Sequence, residues 1–274
     1  NFPFSEKQSL ENLDGAFDNP DHLFGWSRLA LDNATLSTSG PTPVTRLFGL
    51  LTTSMWDVWA VFEDTAIGSI YNQDKQESFI SLLESFDISC SDLAKFKRLY
   101  QCSTNNVKEI LEHAVRQVAM DVSAFNVLSE IQSSLFVDGI PVDLVGTAEE
   151  LLAENLASTA ELISVKKIAN LVISIGTNIG ERVSSSINQY AETDGSNQSE
   201  FYADTTGYSP SPSMYDPDDP DTKIDSTWQA LPEQVGVTPQ WGSVTPFAIN
   251  PHELIPSTIL TPYTEIGELN EEFI

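Results

Sequence analysis

The stretch Pro43-Val-Thr-Arg-Leu-Phe-Gly-Leu-Leu-Thr-Thr-Ser-Met-Trp-Asp-Val-Trp-Ala-Val-Phe62 decides the fold. Val44, Leu47, Phe48, Leu51, Met55, Val58, Trp59 and Phe62 recur three and four residues apart, the period of one helix face, whereas a strand would alternate every second residue. Pro41 and Pro43 stand where a helix should begin, because proline is tolerated in the first turn. Met55, Val58, Trp59 and Phe62 read as core. Asp57 lies inside this apolar run, and a buried acid needs a partner; Arg46 and Arg28 are the bases expected to supply it.

The same period extends in both directions. A first helix is expected from Pro20-Asp21, with Trp26, Leu29 and Ala30 on one face. Shorter helices are expected at Phe79–Phe86 and Leu93–Tyr100. A further run carries Val107, Ile110, Leu111, Ala114 and Val118, capped by Thr104 or Asn105, with Glu109 early where the helix dipole favours an acid. Helices at 121–134 and 147–157 follow. A long one runs from Thr159 to Tyr190, lined by Leu162, Val165, Ile168, Ala169, Val172, Ile175, Ile179, Val183 and Ile187. Gly176 and Gly180 within it weaken the helix locally or let a neighbour approach closely.

At Ala191 the composition shifts to Pro, Asp, Ser and Thr, and the periodicity ends. Pro217-Asp-Asp-Pro-Asp221 cannot continue a helix. This stretch is nevertheless rich in aromatic residues, from Phe201 and Tyr202 to Trp241, Phe247 and Tyr263, so it reads as an extended segment wrapping over the helices. The expected organisation is a polar arm (1–20), a mostly α multi-helix bundle (21–190) and a proline-rich extended segment packed on it (191–274).

Composition narrows the function. The 274 residues hold 13 Lys+Arg against 40 Asp+Glu, a formal charge of −27. Such a field repels nucleic-acid phosphates and anionic membranes, and reads first as solubility in a saline exterior medium. No run of about 18 apolar residues could span a membrane. Cys90 and Cys102, the two cysteines, are close enough for a disulfide worth about 3 kcal/mol in the chain-entropy model; two reduced thiols are the alternative. A chain beginning at Asn1 reads as a processed mature protein, expected to be secreted or otherwise extracytoplasmic. Asn33-Ala-Thr35 and Asn197-Gln-Ser199 fit the glycosylation sequon.

Three segments together resemble the vanadium-dependent haloperoxidase-like family, relatives of the type-2 acid phosphatases. The first is Thr45 to Ala66, which is similar to a family helix in which Arg precedes an "AMxDAWAxY" run and an acid-x-Ala exit. The second is Tyr190-Ala-Glu-Thr-Asp-Gly-Ser-Asn-Gln198 with Tyr202-Ala-Asp-Thr-Thr-Gly-Tyr208. The third runs from Trp228-Gln-Ala-Leu231 to Pro239-Gln-Trp-Gly-Ser-Val-Thr-Pro-Phe-Ala-Ile249, similar to "WQPL" and "PxWGxVxPFAL". Thr52 stands where the family often has His, and Ala230 where "WQPL" has proline.

The resemblance implies halide oxidation by hydrogen peroxide on a bound vanadate, held by a Lys, two Arg and a His with a second His as acid or base. Those motifs lie downstream of the "WGxVxPF" stretch and are absent here, so no catalytic residue is expected in this chain. From Val183 to Ile274 the one Lys or Arg is Lys223, against fifteen Asp and Glu, and the one His is His252. The chain is therefore expected to be the amino-terminal scaffold half of such a protein. Its expected partner is a carboxyl-terminal catalytic half, in the same chain or a cleaved one, and a homo-oligomer is open. Trp228, Trp241 and Phe247 are candidates for lining the mouth of the pocket.

Two further readings stand beside this: a secreted structural or assembly protein on the same scaffold, and a phosphatase of the same superfamily. Lys166-Lys167 and Lys95-Phe-Lys-Arg98 read as solvated helix faces. His22, His113 and His252 lack zinc-type spacing. Neither a nucleophile elbow nor a P-loop occurs. The run Asp216, Asp218, Asp219, Asp221 is a calcium candidate through oxygen ligands, with a solvated acidic loop as its alternative.

Overall fold

The computed structural model describes residues 21–72, 94–95, 104–141, 144, 146–208, 215–223, 229–232, 234 and 236–247. The chain divides into two compact units, Asn1–Thr193 and Asp194–Ile274. The expected short helices at 79–86 and 93–100 lie outside the described residues apart from Ala94 and Lys95, as do the polar arm and both cysteines.

The first unit is a helical bundle. Its helices are α1 (Asp21–Leu36), α2 (Pro41–Phe62), α3 (Thr104–Ser134), α4 (Thr147–Ile163) and α5 (Lys166–Thr193). No strand occurs among the described residues, and no described helix is long and apolar enough to cross a membrane.

The central pair is α3 and α5. The residues expected to form two helices, 107–118 and 121–134, are one helix of 31 residues, because nothing between Val118 and Asp121 breaks the period. Thr104 and Asn105 lie inside it rather than capping it. Along α5, Gly176 faces Val115 and Val118, and Gly180 faces Ala119 and Val122. Ascending numbers meet ascending numbers, so the two helices run parallel. A Cβ on Gly180 would lie 2.6 Å from the Ala119 carbonyl oxygen, so these glycines permit the close approach anticipated for them.

The expected long helix from Thr159 to Tyr190 is broken. The α4 helix continues past 157 to Ile163, Ser164 takes a left-handed conformation (φ 58°), and α5 begins at Lys166. Val165 N–H donates to the Ile163 carbonyl at 2.6 Å, closing the reversal. A left-handed β-carbon costs about 1–2 kcal/mol. The reversal returns α5 beside α3, burying Ile168, Val172, Ile175, Val183 and Ile187, each worth about 1.5–3 kcal/mol. That gain outweighs the strain.

The α1 and α2 helices complete the bundle. Trp26, Leu29 and Ala30 of α1 are buried, as are Leu47, Leu50, Leu51, Met55 and Val58 of α2. Trp59 and Phe62 are only half-buried. Trp59 stacks on the exposed Trp56 with ring centroids 5.1 Å apart. Between α1 and α2, the hydroxyls of Ser37, Thr38 and Ser39 converge on the Leu135 carbonyl just beyond α3, at 3.2, 3.3 and 3.2 Å. A helix end leaves such carbonyls unpaired, and this turn supplies their donors.

The second unit, considered alone, is built from turns and three-residue to five-residue 3₁₀ segments at Gln198–Glu200, Pro220–Thr222 and Pro239–Ser243. Four of its described residues other than glycine have positive φ: Asn197, Phe201, Tyr202 and Thr238.

Candidate functional site

Among the described residues of the bundle, the carboxylates of Asp57 and Asp121 are fully buried. The partner expected for Asp57 was an arginine. Its carboxylate instead accepts three backbone N–H groups, from Ser69 at 2.6 Å, Ile70 at 2.9 Å and Tyr71 at 2.7 Å. Successive N–H groups turned toward one point form an anion-binding concavity, and here the protein's own acid fills it. Gly68 shapes that loop, since a Cβ there would collide with the Tyr71 carbonyl. Arg46, also buried, donates to the Ala191 carbonyl at 2.8 Å and so ties the start of α2 to the end of α5.

Asp121 is a hub that sequence reading did not single out. Its Oδ1 accepts from Trp26 Nε1 and Asn155 Nδ2, both at 2.8 Å. Its Oδ2 lies 3.1 Å from His22 Nδ1 and 3.4 Å from Gln117 Nε2. These donors come from α1, α3 and α4, so one acid on α3 fastens three helices. An unpaired carboxylate buried at this depth would cost several kcal/mol, and four donors offset that cost. The chemistry available to both acids is structural, because the oxygens that a substrate would need already hold the scaffold.

In the second unit, the second and third motif segments meet. Thr245 N–H donates to the Asp194 carbonyl at 2.8 Å, and Asp194 Oδ1 accepts from Ser196 N–H at 2.9 Å. Gln240, almost fully buried, donates through Nε2 to the Tyr202 carbonyl at 2.8 Å. The rings of Tyr202 and Trp241 lie 5.9 Å apart, tilted at 54°. The consecutive left-handed residues Phe201 and Tyr202 (φ 51° and 61°) set this arrangement; such backbone costs about 1–3 kcal/mol each and persists only where surrounding contacts enforce it.

Of the candidate pocket residues, Trp241 and Phe247 are half-buried, and Trp228 lies outside the described residues. The acidic calcium candidate is an exposed turn. Asp216 Oδ1 accepts from Asp218 N–H at 2.9 Å and Asp219 Oδ1 from Asp221 N–H at 3.2 Å, so two of the four acids serve the turn itself. Among the described residues, no group of three or more His, Cys, Asp or Glu is gathered to hold a metal.

The two sequons differ. Asn33 is buried within α1 and donates to the Leu29 carbonyl at 2.8 Å, so the folded protein closes that site. Asn197 lies in a turn and donates to the Ala203 carbonyl at 3.0 Å.

Comparison with protein-family models, curated proteins and solved structures finds no match.

Vanadate can be tested against that arrangement. It needs converging cationic and N–H donors for a multiply charged oxyanion. The second unit offers one described base, Lys223, exposed beside the Asp216–Asp221 turn. Among its described residues, the buried unpartnered polar atoms are the oxygens Ser196 Oγ and Gln240 Oε1. The residues present do not fit vanadate, and no catalytic step can be drawn through them.

Proposed function

We propose that this chain is the scaffold portion of a secreted vanadium-dependent haloperoxidase-like protein, and that residues outside these 274 supply the vanadate site. The single observation that supports this reading is the joining of the second and third motif segments. Asp194-Gly-Ser-Asn197 and Pro239-Gln-Trp-Gly242 stand more than forty residues apart in sequence, yet they are locked by the Thr245–Asp194 and Gln240–Tyr202 bonds. The polar members of the first motif, Arg46 and Asp57, bond backbone groups of the bundle.

The test uses the complete protein, folded and loaded with orthovanadate, with hydrogen peroxide and bromide or chloride as substrates. Vanadate-dependent halogenation of an organic acceptor is the expected result, with the 274-residue chain alone inactive. A folded, vanadate-loaded protein that oxidises no halide overturns the reading. Hydrolysis of a phosphate ester without vanadate would replace it with phosphatase activity.

A further inference from the structure

Two Asp–Pro bonds stand in one turn of the second unit, Asp216–Pro217 and Asp219–Pro220, and the sequence contains no others. Such a bond is the most acid-labile in a polypeptide, for two chemical reasons. The aspartate carboxylate can close a five-membered ring on its own peptide carbonyl. The prolyl nitrogen, more basic than an ordinary amide nitrogen, leaves readily once it takes a proton. A nucleophile held beside its target in this way needs no external partner. Asp216, Pro217, Asp219 and Pro220 are all exposed, so water reaches both bonds.

The turn treats the two bonds differently. Thr222 Oγ1 accepts the Asp216 N–H at 2.9 Å, which leaves its own proton to be donated elsewhere. The Asp219 carbonyl receives that proton at 2.7 Å, against 3.4 Å for the Asp216 carbonyl. The Thr222 N–H donates to the same Asp219 carbonyl at 3.0 Å. Two donors therefore converge on the carbonyl of the Asp219–Pro220 bond, an arrangement that stabilises negative charge developing on its oxygen. The Asp216 carbonyl has one comparable donor, the Asp219 N–H at 3.0 Å. On Asp219 itself, Oδ1 accepts the Asp221 N–H at 3.2 Å, which keeps the carboxylate beside its own backbone.

We propose that Asp219–Pro220 is a self-cleavage site, selected over Asp216–Pro217 by Thr222. A carboxylate oxygen of Asp219 attacks the Asp219 carbonyl carbon, and the negative charge passes to the carbonyl oxygen that Thr222 holds. The C–N bond then breaks. Pro220 nitrogen takes a proton from solvent and departs as a secondary amine, leaving Asp219 as a cyclic anhydride. Water opens the anhydride to two carboxyl groups, so the net change is hydrolysis of one peptide bond. The cut falls between residues that the Thr245–Asp194 and Gln240–Tyr202 bonds join, so those bonds still bridge the two fragments. This activity does not depend on the haloperoxidase reading.

The test incubates the folded 274-residue chain at about pH 5, where ordinary carboxylates are ionised and protons are still available to the leaving nitrogen. That pH also lies above the isoelectric point of about 4.1, so the chain keeps a net negative charge. Fragments are followed by mass spectrometry. Cleavage at Asp219–Pro220 is expected to be about tenfold faster than at Asp216–Pro217, with the preference lost in urea, where the turn is gone. Thr222→Val keeps the shape of the side chain without its hydroxyl. It should slow cleavage at Asp219–Pro220 about tenfold and leave Asp216–Pro217 unchanged, with folding checked by helical circular dichroism. Added hydroxylamine should capture the anhydride as a hydroxamate on Asp219, which hydrolysis by a contaminating protease would not give. The proposal is overturned by an uncut chain, equal cleavage of the two bonds in the folded chain, a preference that persists in urea, an undiminished rate in folded Thr222→Val, or fragments without hydroxamate.

Discussion

Replacing Asp121 with alanine tests the bundle at the point where three helices depend on one side chain. Trp26 is fully buried and Asn155 nearly so, and each donates to Oδ1 at 2.8 Å. Without the carboxylate neither donor can reach water. A buried donor left unsatisfied costs about 1–3 kcal/mol, so these two give about 2–6 kcal/mol. Removing a buried charge returns part of its desolvation cost, and His22, which is 14% exposed, can rehydrate. The net expectation is a loss of about 2–4 kcal/mol. Urea unfolding followed by helical circular dichroism measures it, as a lower midpoint at unchanged slope. Trp26→Phe removes one donor and should cost about 1–2 kcal/mol alone. In the Asp121→Ala background it should cost at least about 1 kcal/mol less, because the donor it deletes no longer has an acceptor. A loss below about 1 kcal/mol for Asp121→Ala, or additivity of the two changes within about 0.3 kcal/mol, would refute the hub.

Three further outcomes follow from local geometry. Gly180→Ala gains about 1 kcal/mol of helix propensity, but its Cβ meets the Ala119 carbonyl at 2.6 Å and Val122 Cβ at 2.8 Å; overpacking against backbone wins, and the urea midpoint should fall by the equivalent of about 1–2 kcal/mol. Ser164→Gly removes a β-carbon from a left-handed residue (φ 58°) and should raise the thermal midpoint, by about 1 kcal/mol of stability. Asp204 is exposed, and the N–H and hydroxyl of Thr206 hold its carboxyl below the ordinary carboxylate range. Because the folded value is depressed, the stabilisation is present above the unfolded value and lost as pH falls through the folded one. Carboxyl NMR should find Asp204 titrating below an unstructured aspartate, with Thr206→Ala moving it back up.

The bundle was legible because its helices bury apolar residues at the period that α-helices require, and Trp26, Leu47, Val118 and Ile187 all reach the core. What misled sequence reading was punctuation. Ser164 ends α4 in a conformation that glycine usually supplies, so no breaker announced the reversal. Between Val118 and Asp121 no breaker exists, and a division imposed there had no physical basis. Buried acids posed a subtler problem. Asp57 was correctly seen to need a partner, but side-chain charge was sought where three loop N–H groups serve, and backbone donors carry no signature in sequence. Asp121 follows Ala114 and Val118 at helical spacing, on the buried face, and the reasoning applied to Asp57 would have found it. Its donors, Trp26 and Asn155, lie 95 and 34 residues away, beyond any local pattern. Asn126 and Asn188 illustrate the same limit: they are ordinary polar residues until parallel packing of α3 and α5 brings Asn126 Nδ2 to Ser184 Oγ and Asn188 Nδ2 to the Asn126 carbonyl. In this chain the apolar period specifies which elements form, while the polar residues specify how they are fastened, and that second layer emerges only once the helices are side by side.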